Sequence, residues 1–143
     1  MKLRVMIVDD HLVFRGALRL VLEFDPDIEV AAEAEDGYAA LARAAELPLD
    51  VVCMDINMPG MNGIEATRRL IAAHPTLKVI GLSAFTELHF VLEMVDAGAV
   101  GFITKGDAGD TLLAAVRAVA GQRTYFCPEV TDIIASRQKA VVA

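Results

Sequence analysis

The chain has 143 residues, enough for one domain with its own core, and 55% apolar against 23% charged residues excludes a disordered polymer. A net charge of −7 and a pI near 4.8 argue against nucleic-acid binding by the chain itself. No apolar run approaches the ~18 residues that a membrane span needs.

The opening "MKLRVMIVDD" has a basic start and an apolar run, as a signal peptide would. Two aspartates cut that run and no small-residue cleavage site follows, so a cytoplasmic location is expected. Leu3–Val8 reads as a first strand. Phe14, Ala17, Leu18, Val21 and Leu22 then follow the stripe of an amphipathic helix. After the turn "EFDPD", Glu29–Ala34 is a second strand, and Tyr38, Leu41, Ala42 and Ala45 form a weaker helical stripe after "AEDG". Val51–Met54 is a third strand, ending on Asp55 and the loop "INMPGMNG". Asn62 with Glu65 resembles a capping box for the next helix, and "AHPT" turns the chain into a fourth strand, Lys78–Ser83.

Thr86 is the expected cap of a helix running to Ala97, with Gly98 as its stop. Gly101–Thr104 is the fifth strand. Asp107 with Asp110 marks the start of a helix whose stripe is Leu112, Ala115, Val116, Val119 and Ala120. Beyond Gly121 the pattern offers no sixth strand, and Val130, Ile133 and Ile134 suggest a short helix from Pro128. Residues 122–143 therefore read as a linker or interaction tail. Regular alternation of strands and helices predicts an α/β fold with a parallel sheet covered on both faces, which suits nearly all-apolar strands. Cys53 and Cys127 lack metal-ligand spacing and read as buried, reduced thiols.

In an open α/β sheet, ligands bind outside the carboxyl ends of the strands. Those ends carry Asp9-Asp10, Asp55, Ser83 and Lys105. Each has an ordinary explanation: Asp9-Asp10 as a helix cap, Ser83 as partner of a loop amide, Lys105 as a solvated end charge. Together they are harder to dismiss, because two carboxylates ~4 Å apart repel by about 4 kcal/mol at an effective dielectric near 20. Mg²⁺ relieves such repulsion, and Asp10 and Asp55 suit it, with a loop carbonyl such as that of Asn57. A carboxylate beside a hard cation, a lysine and a hydroxyl is a set suited to phosphoryl transfer.

The stretches "VMIVDDH", "VVCMDINMPGMNGIEATRRL", "VIGLSAF" and "GAVGFITKG" resemble the receiver domain of two-component response regulators. "DDHLVFRGALRLVLE" and "GFITKGDAGDTLLAAVRAVAGQRTYFCPEV" are most similar to the LuxR/NarL-type subfamily, whose output is a C-terminal helix-turn-helix. The resemblance implies a receiver over 1–121 with a flavodoxin-like (βα)5 doubly wound parallel sheet of strand order 2-1-3-4-5. It implies that Asp55 accepts a phosphoryl group from a sensor histidine kinase. Asp9 and Asp10 make the acidic pocket, Asp10 directly on Mg²⁺ and Asp9 through water. Lys105 pairs with the phosphorylated carboxylate, Ser83 moves to a phosphate oxygen, and Phe102 stands where the family has its switch aromatic. For Phe102 plain core packing is an equal reading. The implied partners are the kinase and a second copy on phosphorylation, with DNA reached only through an output domain that is not expected within this chain, and no membrane.

Gly106 departs from the family's common proline after the lysine. Competing readings are an Asp-nucleophile phosphohydrolase, a flavodoxin-like FMN binder, and a degenerate receiver serving only as an interaction scaffold. The first wants Asp-x-Asp where this chain has "DDH", the second a Ser/Thr/Gly-rich phosphate loop after strand one, and the third the loss of a pocket group.

Overall fold

The computed structural model describes residues 2–142. Its elements are β1 (Leu3–Val8), α1 (Leu12–Glu23), β2 (Ile28–Ala34), α2 (Gly37–Glu46), β3 (Val51–Asp55), α3 (Gly63–Ala73), β4 (Lys78–Ser83), α4 (Val91–Ala97), β5 (Gly101–Thr104), α5 (Ala108–Ala120), β6 (Tyr125–Phe126) and α6 (Pro128–Val142). The strands form one parallel sheet of order β2-β1-β3-β4-β5-β6. The doubly wound, flavodoxin-like order expected for the first five strands holds.

Side chains alternate across the sheet, so each central strand feeds both faces. Val5, Ile7, Val51, Cys53, Ile80, Leu82 and Ile103 face α1 and α5, meeting Leu18, Leu22, Leu112, Val116 and Val119. Met6, Val8, Val52, Met54, Val79 and Phe102 face the other way, onto α2, α3 and α4. Gly81 makes room on that second face: a Cβ there would lie 2.9 Å from the Phe102 ring and 3.0 Å from Met94 Cε. Cys53 and Cys127 are free and buried, as expected, and burial pushes the Cys53 thiol up to about 12.

Several expectations are corrected. The buried face of α2 is Gly37, Ala40 and Ala44, whereas Tyr38 is 63% exposed. The reason is close packing: a Cβ on Gly37 would come within 2.8 Å of Met61 Sδ, so small residues occupy the contact. The segment from Phe85 to Phe90 is a 3₁₀ turn, and α4 starts only at Val91 with Phe90 at its N-cap position. Thr86 therefore does not occupy the cap position, and its side chain lies outside what is described. Gly98, in the left-handed region at φ 114°, ends that helix as expected.

At α5 the expected acidic cap is not made; the Asp107 carboxylate instead accepts from Thr104 Oγ1 at 2.9 Å. Asn62 does cap α3, accepting from the Glu65 amide at 2.9 Å, but the Glu65 carboxylate turns to Arg68 and Arg69 rather than closing the box. A sixth strand exists after all. Tyr125 and Phe126 pair with Gly101 and Phe102, and α6 then docks on α4. Val130 is fully buried in the second core, Ile133 and Ile134 pack against it, and Arg137 clamps Asp96 through two bonds of 2.8 and 3.0 Å.

Candidate functional site

Parallel strands in register bring their carboxyl ends to one edge of the sheet. Val8 lies beside Met54 and Asp55 beside Leu82, so Asp9, Asp55 and Ser83 emerge at neighbouring positions. The loop after Asp55 returns at once beneath the strand end. Gly63 donates its N–H to the Ile56 carbonyl at 2.8 Å, and a Cβ on Gly63 would fall 2.8 Å from Ile56 Cα and collide with the Asp55 carbonyl. Glycine is therefore required here by close backbone approach.

The sequence-predicted residues do converge. Asp9, Asp55 and Ser83 are buried, at 0%, 1% and 0% exposure. Lys105 Nζ lies 2.9 Å from Asp9 Oδ2 and 3.3 Å from Asp55 Oδ1, and 4.9 Å from the centre of the Phe14 ring. It is thus no solvated end charge. The Asn57 amide donates to Asp55 Oδ1 at 3.3 Å. Asp9 Oδ1 accepts from the His11 amide at 2.8 Å, and the Asp9 carbonyl accepts from Arg15 Nη1 at 2.7 Å. Asp10 is more open, its side chain 29% exposed. Phe102 sits apart from this group, wholly buried on the second core face against Gly81 and Met94.

Asp55 Oδ2 and Ser83 Oγ are buried and have no hydrogen-bond partner among the described residues. A buried polar atom left unpaired is costly. Burial, and next the charge of Asp9, push the Asp55 carboxyl up to about 6, although Lys105 pulls the other way. For Lys105 burial opposes the ammonium, but its bond to Asp9 and the charges of Asp55 and Asp9 outweigh it and raise its pKa.

The Lys105 ammonium reaches two carboxylates, those of Asp9 and Asp55. Donor atoms of Asp9, Asp10, His11 and Asp55 all lie within 4.8 Å of one another, a group able to hold a metal ion. Its oxygens suit a hard divalent cation. His11 joins the group without any sign in the sequence. A single histidine beside two acids has no periodicity or spacing to mark it, and only its place in the fold brings Nδ1 to 3.2 Å from Asp9 Oδ1 and 3.3 Å from Asp10 Oδ1.

The family model of the response regulator receiver domain matches residues 5–117, which include all of these groups. The chain belongs to the response regulator receiver family. It is 38% identical over 141 residues to the transcriptional regulatory protein DegU of Brevibacillus brevis, covering 99% of this chain and 60% of that protein. It is 42% identical over 132 residues to the response regulator GacA of Pseudomonas protegens, covering 91% of this chain and 61% of that one. The chain thus spans about three fifths of the length of these curated relatives. Among solved structures, a LuxR-family two-component response regulator from Aurantimonas sp. SI85-9A1 superposes with a TM-score of 0.89 at 32% identity, covering 96% of this chain and 99% of that chain. No helix among the described residues is long and apolar enough to cross a membrane.

Proposed function

We propose that this receiver is a phosphorylation switch that takes a phosphoryl group from a sensor histidine kinase onto Asp55. The observation that carries the reading is the state of Asp55: 1% exposed, one oxygen 3.3 Å from Lys105 Nζ, the other buried without a partner among the described residues. Oδ2 is the nucleophile. It attacks phosphorus in line, the bond to the kinase imidazole nitrogen breaks, and that nitrogen keeps the electron pair. Lys105 moves no proton; its positive charge balances the oxygens of the new acyl phosphate.

Asp10, Asp55 and the Asn57 carbonyl would hold Mg²⁺, with Asp9 acting through a water. When bound, Mg²⁺ supplies the positive charge that lets a phosphate approach three carboxylates. Ser83 Oγ, already buried and unpartnered among the described residues, supports a role as donor to a phosphate oxygen. The chain assists only its own phosphorylation and dephosphorylation, and so acts as a switch rather than a turnover enzyme.

Its response lies in the segment from Ser83 to Phe102. Ser83 drawn toward phosphate pulls on the 3₁₀ turn and α4, and Phe102, packed on Gly81 and Met94, repacks with them. β6 and α6, which rest on β5 and α4, receive that change. The receiver's sheet continues through β6, and α6 carries the signal onward to dimerisation and a DNA-binding output in the cytoplasm. Exposed Leu12 and Val13, just past His11 at the pocket mouth, support docking of the kinase there.

The test is intact mass after incubation with acetyl phosphate and Mg²⁺. Wild type gains one phosphoryl group, Asp55→Ala gains none, and Lys105→Ala is much impaired. Equal labelling of wild type and Asp55→Ala would contradict the reading. Turnover of a phosphate ester by Asp55→Ala would point to a phosphohydrolase.

A further inference from the structure

The imidazole of His11 stands in the acidic pocket, and none of the steps above uses it. We propose that His11 Nδ1 is a metal ligand of this pocket and sets its selectivity, favouring Mn²⁺ over Mg²⁺. The inference rests on the reading of the pocket as a cation site.

Geometry is the first support. Adjacent ligands of an octahedral ion with bonds of about 2.1 Å are separated by about 3 Å. Nδ1 lies 3.3 Å from Asp10 Oδ1, the spacing of neighbouring ligands on one ion, and hydrogen-bonds Asp9 Oδ1 at 3.2 Å, a contact that an entering ion would replace. The backbone that carries the ring is also held in place. His11 occupies the N-cap position of α1, and its amide donates to Asp9 Oδ1 at 2.8 Å, so the backbone fixes where the side chain departs. The side chain is 67% exposed, which leaves the ring free to adjust as an ion enters.

A second observation points to a ligand at this place. Asp55 Oδ2 is buried without a partner among the described residues, and Asp55 belongs to the same group of donors within 4.8 Å. Three carboxylates alone would make a site for a hard cation. An imidazole nitrogen changes the donor set, because Mg²⁺ prefers oxygen and keeps its waters, whereas first-row transition ions accept imidazole readily. Mn²⁺ shares the octahedral oxygen preference of Mg²⁺ and gains from the nitrogen.

The experiment is titration calorimetry of the full chain with Mn²⁺ and with Mg²⁺, joined to pulsed EPR of the Mn²⁺-loaded protein. Wild type is expected to bind Mn²⁺ more tightly and to show a ¹⁴N coupling from a directly bound imidazole. His11→Ala and His11→Gln are expected to lose that coupling and about tenfold in Mn²⁺ affinity, with Mg²⁺ affinity unchanged. The glutamine variant keeps a hydrogen-bond donor for Asp9. If it retains wild-type Mn²⁺ affinity, or if wild type shows no ¹⁴N coupling, His11 only orients the acids and the inference falls, while the cation-site reading stands. Absence of binding by either ion to wild type would overturn both.

Discussion

Lys105 Nζ bridges Asp9 Oδ2 at 2.9 Å and Asp55 Oδ1 at 3.3 Å, and so binds the ends of β1, β3 and β5 into one electrostatic unit. The lysine reaches only one oxygen of Asp55, and the other is buried without a hydrogen-bond partner among the described residues. A single positive charge cannot satisfy Asp9, Asp10 and Asp55 together, and the excess negative charge has consequences that can be measured.

The first is a pH dependence of stability in chelated protein. The folded-state value of Asp55, about 6, lies above its ordinary 3.8, so the folded chain holds this proton more tightly than the unfolded chain. Stability from this group is fully present below the ordinary value and is lost as pH rises through about 6, amounting to about 3 kcal/mol at most. Asp55→Asn removes that loss. Denaturant unfolding with chelator present should show the variant gaining on wild type between about pH 4 and pH 7. Parallel stability curves would refute the prediction.

A divalent cation should act in the opposite direction. Mg²⁺ that binds the folded pocket and not the unfolded chain stabilises by about 2.7 kcal/mol at 100 times its Kd. Thermal unfolding of wild type should therefore shift upward by several degrees with saturating Mg²⁺. Asp10→Asn should lose most of that shift. An equal shift in both proteins would place the ion elsewhere.

The two glycines of the pocket loops make a contrast. Gly63→Ala drives a methyl group into the Asp55 carbonyl and to 2.8 Å from Ile56 Cα, both backbone atoms that cannot yield cheaply. It should destabilise by about 2–3 kcal/mol and weaken labelling of Asp55. Gly106→Ala meets nothing within 4 Å and should change stability by less than about 0.5 kcal/mol. Denaturation midpoints of the two variants check the pair.

The docked C-terminal helix gives a further contrast. Val130, on α6, is fully buried against the core, and Val130→Ala should cost about 1.5–3 kcal/mol. Arg137→Ala breaks an exposed pair with Asp96, which solvent screens, so its effect should be far smaller and should shrink further with salt. Comparison of the two by chemical denaturation, at low and high salt, tests whether apolar burial holds α6 in place.

The strands are legible in the sequence because burial on both faces writes itself as short all-apolar runs, and the polar residues that end them mark the pocket edge. Asp9, Asp55 and Lys105 meet as expected for that reason, with Ser83 at the neighbouring strand end. The face of α2 is hidden because its contact is made by Gly37, Ala40 and Ala44, whose small side chains carry little hydropathy signal. The strand β6 is equally hidden, since two residues on a sheet edge, Tyr125 and Phe126, show no measurable alternation. Thr86 has the chemistry of a cap, but the chain leaving Ser83 turns through six residues of 3₁₀ structure before α4 begins. For His11 nothing local distinguishes a ligand from a neighbour of acids; its Nδ1 distances do.

The most direct test of Asp55 as phosphoacceptor is chemical trapping. Protein phosphorylated with acetyl phosphate and Mg²⁺ is reduced with borohydride, which converts an aspartyl phosphate to homoserine, and the modified position is read by tandem mass spectrometry. The account predicts homoserine at position 55 and nowhere else among the pocket aspartates. Homoserine at Asp9 or Asp10, or none in protein that had gained a phosphoryl mass, would contradict it.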